Sequence, residues 1–466
     1  MLMCTLNKDT VAEILKTGGL YEVGGAVRDK YLFAGIKPKD HDYIVTGIPY
    51  NDLSKILKNF GKVDLVGKSF GVIKFTQFKD GKPKTFDITL PRTEFSTGEG
   101  HKDFQVDFDP FIPIETDLKR RDFTINAMAV SLKDNELIDP LDGMGDLKNR
   151  QIRMVYEESF KDDPLRMLRA VQFSARFEFK IEPDTLKAIK KYAHLIKTIS
   201  PERISEELNK LLELADKPSN GFRLMQETGL LKEFFPELEA CVSVDQPGGF
   251  HKYDVFEHTL HVIDAAPKDL KIRLAALFHD INKPQHKRVV PKGATFYGHE
   301  SSGGKTAKKV LTRLRYSNDI IKDVRLLVER HMFTTDVSPK GMRRLVRRVG
   351  MDLIFKLLDL RRADVEGQGM GGTTEDVDQF EADVKDEIDK KSPFSLSDLA
   401  IDGNDIMEMF DLKPGKKVGE ILEYLMEKVL EDPSENRKEN LESFAKEFIQ
   451  NDIEINKDKG NQNENS

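Results

Sequence analysis

Cysteine is scarce in this chain of 466 residues, occurring only at Cys4 and Cys241, and no apolar run approaches the length that crosses a bilayer. Each shortage excludes something. Two cysteines are too few for a disulfide framework or a cysteine-built zinc site, so both are read as ordinary reduced thiols. A membrane-spanning helix needs about 20 largely apolar residues, so no membrane partner is expected. The start, MLMCTLNKDT, lacks the basic and apolar stretches of a secretory signal, which points to a cytoplasmic protein. A strong net charge is missing too: 73 Lys and Arg oppose 80 Asp and Glu, for a balance of −7 that names no partner. What is present is 39% hydrophobic and 33% charged residues, the composition of a soluble globular chain. Roughly two to four domains are expected, because single cores seldom grow beyond about 250 residues.

The texture changes along the chain. Up to about Arg150, short β-type runs (YEVGGAV, DYIVTG, GVIKFTQF, KTFDITL) alternate with helix-like segments, which predicts a mixed α and β domain over 1–150. From Ser159 the apolar spacing becomes helical, as in PLRMLRAVQFSARF and ERISEELNKLLELA. Breaks at SVDQPGGFHKYD and GQGMGGTT divide the helical remainder into 151–242, 243–370 and 371–450, and the polar end, 451–466, reads as disordered. Between Gly303 and Arg348, thirteen Lys and Arg stand against four Asp and Glu. Such a segment can hold a phosphate backbone or simply form a solvated helical face.

The stretch PKDHDYIVTG places Asp40 and Asp42 around His41 at the head of a β-branched run. Residues i and i+2 of a strand share a face, so the two carboxylates stand together and repel unless a cation lies between them. Paired carboxylates holding magnesium suit in-line phosphoryl displacement. Upstream lies VGGAVRD, where Gly24 and Gly25 follow a strand and Arg28 and Asp29 open a helix. Glycines let backbone approach a triphosphate, helix amides favour anions, and arginine can grip phosphate.

A double glycine followed at this distance by D-x-D resembles the signature of the nucleotidyltransferase superfamily, in the branch of class II tRNA nucleotidyltransferases and bacterial poly(A) polymerases. RRDFTINAMA, Arg120 to Ala129, and DDPLRMLRAVQF, Asp162 to Phe173, resemble further motifs of that family, as do LIDPLDGMGDLKNRQIRMV and ISPERISEELNKLL. The resemblance runs from Val23 to about Glu239. It implies an α+β chain: a nucleotidyltransferase head with a small mixed sheet over 1–150, then an all-α neck binding base and RNA over 151–242, and further helical domains. It also implies Mg2+ on Asp40 and Asp42, with Asp87 as a supporting acid, and nucleotide contacts from Gly24, Gly25, Arg28, Arg121, Asp122 and Asn126. Asp122 can alternatively cap the helix that follows it.

In the second motif, Asp162 replaces the family's glutamate and Gln172 stands where many relatives have arginine. Asp163 and Arg166, i and i+3 on a helix, are neighbours on one face. A carboxylate acceptor beside a guanidinium donor matches the amino-donor and ring-nitrogen-acceptor edges of cytosine and adenine, and mismatches uracil and guanine. CTP and ATP are therefore the expected nucleotides, with Arg169 one turn on aiding their binding. The implied reaction is attack by a tRNA 3′-hydroxyl on the α-phosphate, releasing pyrophosphate. The undeleted segment between FDITL and RRDFT favours full CCA addition over CC-only addition.

The second half carries its own constellation: seven of the ten histidines fall between His251 and His331. The order His258, His279-Asp280, Asp364 resembles the HD phosphohydrolase superfamily, which implies a metal site on those residues, with His299 and His331 as further candidates. Imidazole mixed with carboxylate suits Ni2+, Co2+, Mn2+, iron or magnesium better than structural zinc. Asn282 stands where relatives commonly have glycine. GHESSGGKT is not a P-loop, since His299 occupies the position that requires glycine. Three readings compete: a CCA-adding enzyme with an HD phosphatase or cyclic phosphodiesterase over 243–370 and a tRNA-binding region over 371–450; a poly(A) polymerase or A-adding enzyme; and an HD phosphohydrolase carrying a relic RNA-binding polymerase domain.

Overall fold

The computed structural model describes residues 6–33, 41–66, 71–79, 82–96 and 104–463, so Asp40 lies outside the described residues. The chain forms two compact units, Met1–Ala240 with Arg313–Tyr316, and Cys241–Thr312 with Ser317–Ser466.

The first unit is the mixed α+β part. Its main sheet uses β1 (Gly19–Val23), β2 (Asp42–Thr46), β3 (Lys62–Val66), β4 (Val72–Lys79) and β5 (Lys82–Thr89); β6 (Arg92–Ser96) and β7 (Phe104–Phe108) form a separate antiparallel pair. With β8 (Ala129–Ser131) and β9 (Leu137–Ile138), the strand order is β3-β4-β5-β2-β1-β8-β9. The four β-type runs expected from sequence supply β1, β2, β4 and β5. Strand alternation sorts β2: Tyr43 and Val45 join a core with Leu53, Leu57, Phe75 and Ile88, whereas Ile44 packs on the other face with Val23, Leu118 and Ala129. Asp42, two residues before Ile44, belongs to that second face. β2 and β5 run parallel with Asp42 opposite Asp87, and β1 runs antiparallel to β2 with Val23 opposite Asp42. The turn after Val23 therefore opens beside the two aspartates.

Beyond β9 the first unit is mainly helical, including Leu165–Phe177 and Pro201–Leu214. One expectation is corrected here. Asp163 is not on a helix with Arg166: the helix Ser159–Asp162 ends before it, the next begins at Leu165, and Asp163 is extended (φ −137°, ψ 95°). Pro164 supplies the reason, since its ring disfavours helical backbone in the preceding residue.

The second unit is built of helices, among them Val255–Ala265, Leu270–Phe278, His299–Arg313, Asn318–Arg330 and Met351–Gly367. The Gly303-Gly304 pair lies inside His299–Arg313, as the rejection of a P-loop requires. Much of the basic segment is consumed internally. On the helix Pro339–Val349, Lys340 pairs with Glu431, Arg344 with Glu427, and Arg347 with Glu423 at 2.5 Å, while Arg343 reaches Glu387 at 3.1 Å and donates to the Leu430 and Glu431 carbonyls. Those two carbonyls close the helix Lys416–Glu431, where cationic donors are favoured. The C-terminal end, read from sequence as disordered over 451–466, is entered by a helix. The helix Lys438–Asn463 runs through most of it, anchored by buried Leu441 and Ala445 and by an ion pair between Lys417 and Asp452 at 2.5 Å. Once an apolar face is docked, extending a helix requires far less than nucleating one.

Candidate active sites

In the first unit, Gly24 adopts φ +68°, a left-handed conformation that glycine reaches without strain, and a Cβ there would lie 2.7 Å from Arg121 Nη1. Arg121 thus lies directly over the turn, held by Asp117 at 3.4 Å and by the Asn126 carbonyl at 3.4 Å. Asp42 is exposed and Asp87 half-buried, side by side in register. His41 turns the other way, buried with Nδ1 2.5 Å from Glu22 Oε1; Glu22 also receives Lys30.

Arg28 is turned into the unit's interior. It is 4% exposed, lies over the Phe173 and Phe177 rings, pairs with Asp29 and donates to Asn126 Oδ1 at 2.7 Å. It orients Asn126. Asn126 Nδ2 in turn donates to Asp122 Oδ1 at 3.0 Å, and Arg169 Nε to Asp122 Oδ2 at 2.9 Å. Asp122 also accepts from its neighbour Phe123 N, and the short helix that follows is capped at Phe123, so Asp122 is not its N-cap. Burial alone would raise its pKa. The Arg169 charge, the Asn126 and Arg169 hydrogen bonds and the Arg166 charge overcome that and bring it to about 2. Arg28, Asn126, Asp122 and Arg169 therefore form one continuous polar chain, and Arg169 extends it to Glu207 at 3.6 Å.

Asp163 and Arg166 are joined through the backbone, Arg166 N donating to the Asp163 carbonyl at 3.0 Å. The Asp163 carboxylate is gripped by Arg203 through Nη1 at 3.2 Å and Nη2 at 2.8 Å, and it accepts Leu165 N at 3.2 Å. The Arg166 guanidinium donates to the Arg120 carbonyl at 3.0 Å, and its buried Nη1 has no partner. Sequence reasoning missed Arg203, although ISPERISEELNKLL had been singled out. Tyr156 was also missed; it donates to Asp162 at 2.6 Å, and burial, then that bond, push its hydroxyl up to about 12.

In the second unit, every predicted ligand converges. His258, His279, Asp280, His299, His331 and Asp364 are each at most 5% exposed. They form two groups of potential ligand atoms, His258–His279–Asp364 and Asp280–His299–His331, and no other such group occurs among the described residues. Asp280 Oδ2 is buried without an aligned hydrogen-bond donor, while His258 Nε2 and His279 Nε2 stand 3.3 and 3.2 Å away and Lys283 Nζ 2.6 Å away. Such a carboxylate oxygen is suited to a cation. Burial opposes ionisation of Asp280, yet the His279 and Lys283 charges hold its pKa well below the usual range. Burial lowers His331 to about 3, while Asp280 and Asp364 outweigh burial at His258 and raise it to about 9. Lys283, which also donates to Gln246 at 2.7 Å, and His251, whose ring centroid lies 4.6 Å from that of His258, escaped the sequence reading. Asn282 is buried and precedes a short helix that starts at Lys283, so the turn forms without the glycine of relatives.

Comparison with known proteins places these sites in context. Residues 20–153 match the poly(A) polymerase head domain, 178–242 the probable RNA and SrmB binding site of polymerase A, and 298–445 a tRNA nucleotidyltransferase domain 2 model. The Multifunctional CCA protein of Methylobacillus flagellatus is 37% identical over 326 residues, 67% of this chain and 73% of that one. The A-adding tRNA nucleotidyltransferase of Deinococcus radiodurans is 35% identical over 340 residues, 69% and 77% respectively. In fold, the chain resembles the Bacillus stearothermophilus CCA-adding enzyme crystallised with CTP (TM-score 0.69, 23% identity, 96% of this chain and 98% of that one). It also resembles the Thermotoga maritima CCA-adding enzyme complexed with tRNA (TM-score 0.54, 23% identity, 94% and 93%). No helix among the described residues is long and apolar enough to cross a membrane.

Proposed function

The chain belongs to the family of class II CCA-adding tRNA nucleotidyltransferases and poly(A) polymerases, and on that premise we propose that it completes the 3′ end of tRNA with CCA, drawing on CTP and ATP. The observation that carries the reading is the juxtaposition of Asp42, Asp87 and the Gly24 turn at one end of β1, β2 and β5. Oxygen-only ligands fit Mg2+, and Asp42, Asp87 and Asp40 would hold it; when bound, it neutralises triphosphate charge and acidifies the attacking hydroxyl. Gly24 and Gly25 admit the phosphates close to backbone, and Arg121 above them supplies a cation. Asn126 and Asp122, fixed by Arg28 and Arg169, face the sugar. Asp163, locked by Arg203, and Arg166 read the base. The bond formed joins the RNA 3′-oxygen to the α-phosphorus, the bond broken releases pyrophosphate, and the hydroxyl proton is lost. By sequence order, 1–150 serves as head, 151–242 as neck and 371–450 as tRNA-binding region.

The second unit supports a metal-dependent phosphohydrolase over 243–370, acting on 2′,3′-cyclic or terminal phosphates. Its imidazoles and carboxylates would hold Ni2+, Co2+ or Mn2+. A second reading of the first unit, A-addition alone, is favoured by the Deinococcus radiodurans relative. Incubation with tRNA lacking its terminal CCA and each nucleotide singly separates the two. CCA addition predicts incorporation of CTP onto that end and of ATP only onto an end already carrying CC. Failure to use CTP on any tRNA would convert the assignment to A-addition.

A further inference from the structure

The three most exposed large apolar side chains among the described residues, Tyr297 at 83%, Val289 at 80% and Phe250 at 76%, gather around one short hairpin of the second unit. Its strands, Arg288–Val290 and Gly293–Thr295, pair antiparallel with Val289 opposite Ala294. The loop that leads to Phe250 is stitched onto the hairpin: Ala294 N donates to the Pro247 carbonyl at 3.0 Å, and a Cβ on Gly293 (φ +138°) would lie 2.4 Å from that oxygen. Behind Tyr297, its carbonyl meets His286 Nδ1 at 2.9 Å, and His286 Nε2 meets Ser302 Oγ at 2.8 Å. The backbone that carries the ring is therefore fixed while the ring faces solvent. Both aromatics adjoin the histidine–aspartate cluster. Phe250 immediately precedes His251, whose ring centroid lies 4.6 Å from that of His258, and Tyr297 follows Phe296, whose carbonyl holds His299 Nδ1 at 2.8 Å.

Charge identifies the occupant. From His286 to Tyr297 the chain has Lys287, Arg288 and Lys292 and no acidic residue. The helix His299–Arg313 that follows sets exposed Lys305, Lys308 and Lys309 on one face, at i, i+3 and i+4. Lys287 pairs with Asp245, whereas Arg288, Lys292, Lys305, Lys308 and Lys309 have no ion pair among the described residues. Exposed rings beside unpaired cations suit a ligand with π faces and a polyanionic backbone, and a single RNA strand has both. Duplex bases are already stacked on one another and leave no face for such rings. We propose that Phe250 and Tyr297 form a stacking platform for the unpaired 3′ end of an RNA, with the hairpin and helix cations following its phosphates, so that the terminal phosphate is delivered to the cluster. The proposal rests on the phosphohydrolase reading of that cluster and names its substrate class, an RNA terminus in place of a free mononucleotide.

The chain contains no tryptophan, so Tyr297→Trp in the full chain installs a single fluorescent reporter that keeps a stacking ring, and Phe250→Trp provides a second. Each is titrated with a short oligoadenylate ending in a 2′,3′-cyclic phosphate, and with the duplex of that strand and oligouridylate. Quenching by the single strand alone is expected, weakening as salt rises. Phe250→Ala in the Tyr297→Trp chain should weaken it about fivefold or more, as loss of one stacking ring does. Glutamine at Lys305, Lys308 and Lys309 should reduce its salt dependence. Unchanged emission from both tryptophan variants would overturn the platform, and hydrolysis of a cyclic mononucleotide would then leave the phosphohydrolase reading standing. Quenching without hydrolysis of the cyclic end would uphold the platform and overturn the phosphohydrolase reading. Equal quenching by the duplex would overturn the preference for an unpaired end. Emission that shifts with chain concentration alone, with sedimentation as a dimer, would assign the surface to a second copy of the chain and overturn the RNA.

Discussion

At the scale of single residues, the arrangement of carboxylates makes the sharpest demands. Asp42→Asn replaces a carboxylate by an amide at the head of β2 without disturbing the buried Tyr43–Val45 strand. Nucleotide incorporation should fall by roughly a hundredfold or more, as when an electrostatic stabiliser is removed from an active site; a variant within severalfold of the parent would contradict the site. Asp163→Ala should relax base choice, raising UTP incorporation relative to CTP by about tenfold or more, the discrimination usual for a well-placed bidentate contact. Unchanged discrimination in competition assays would mean that base reading lies elsewhere. Asp122 yields a pH prediction. Its pKa is depressed from 3.8 to about 2 in the folded chain, so its ionised form contributes stability above pH 3.8 that is lost as the pH falls towards 2. The contribution is roughly 2 kcal/mol. Asp122→Asn should therefore lose less stability than the parent between pH 5 and pH 2 in denaturant titrations, and parallel losses would refute the network. Asp42, Asp122 and Asp163 could be singled out as candidates because short motifs carry them. Arg203 was not, since its grip on Asp163 spans 40 residues and depends on how the helix Pro201–Leu214 meets the extended residue before Pro164. Arg28 could be singled out from its motif, but not its inward direction, which Phe173, Phe177 and Asn126 set jointly.

At the scale of elements, the sequence revealed strands better than their partners. β2 and β5 were visible as apolar β-branched runs, yet the parallel register that sets Asp42 against Asp87 is fixed by the crossover between them, which no local pattern encodes. The helix break before Leu165 follows from Pro164 and was available to reasoning that weighed proline above helical spacing. Gly367 ends the helix Met351–Gly367, where GQGMGGTT had marked only a break. A Cβ there would lie 2.4 Å from Val262 Cγ2 and 2.9 Å from Val262 N, on the helix that carries His258, and the Gly367 carbonyl anchors His258 Nδ1. Gly367→Ala should push the two helices apart, destabilising the second unit by about 1–3 kcal/mol and weakening metal binding at the cluster. Normal thermal unfolding together with normal metal affinity would show that the close approach is not required.

At the scale of the whole molecule, two kinds of ligand chemistry occur in one chain, oxygen alone around Asp42 and imidazole with carboxylate around Asp280. They should separate by metal and by mutation. His279→Ala with Asp280→Ala should abolish hydrolysis of 2′,3′-cyclic phosphates while leaving CCA addition in place, and Asp42→Asn should do the reverse; joint loss in either variant would indicate a shared support. Under the proposed function, protein side chains alone choose C and A in order at an RNA end. The most direct test is to incubate tRNA ending before its CCA with the purified chain, Mg2+ and all four nucleoside triphosphates together, and to sequence the resulting 3′ ends. Ends reading CCA, without U or G and without further extension, are predicted; unextended ends, mixed additions or long runs of A would contradict the account.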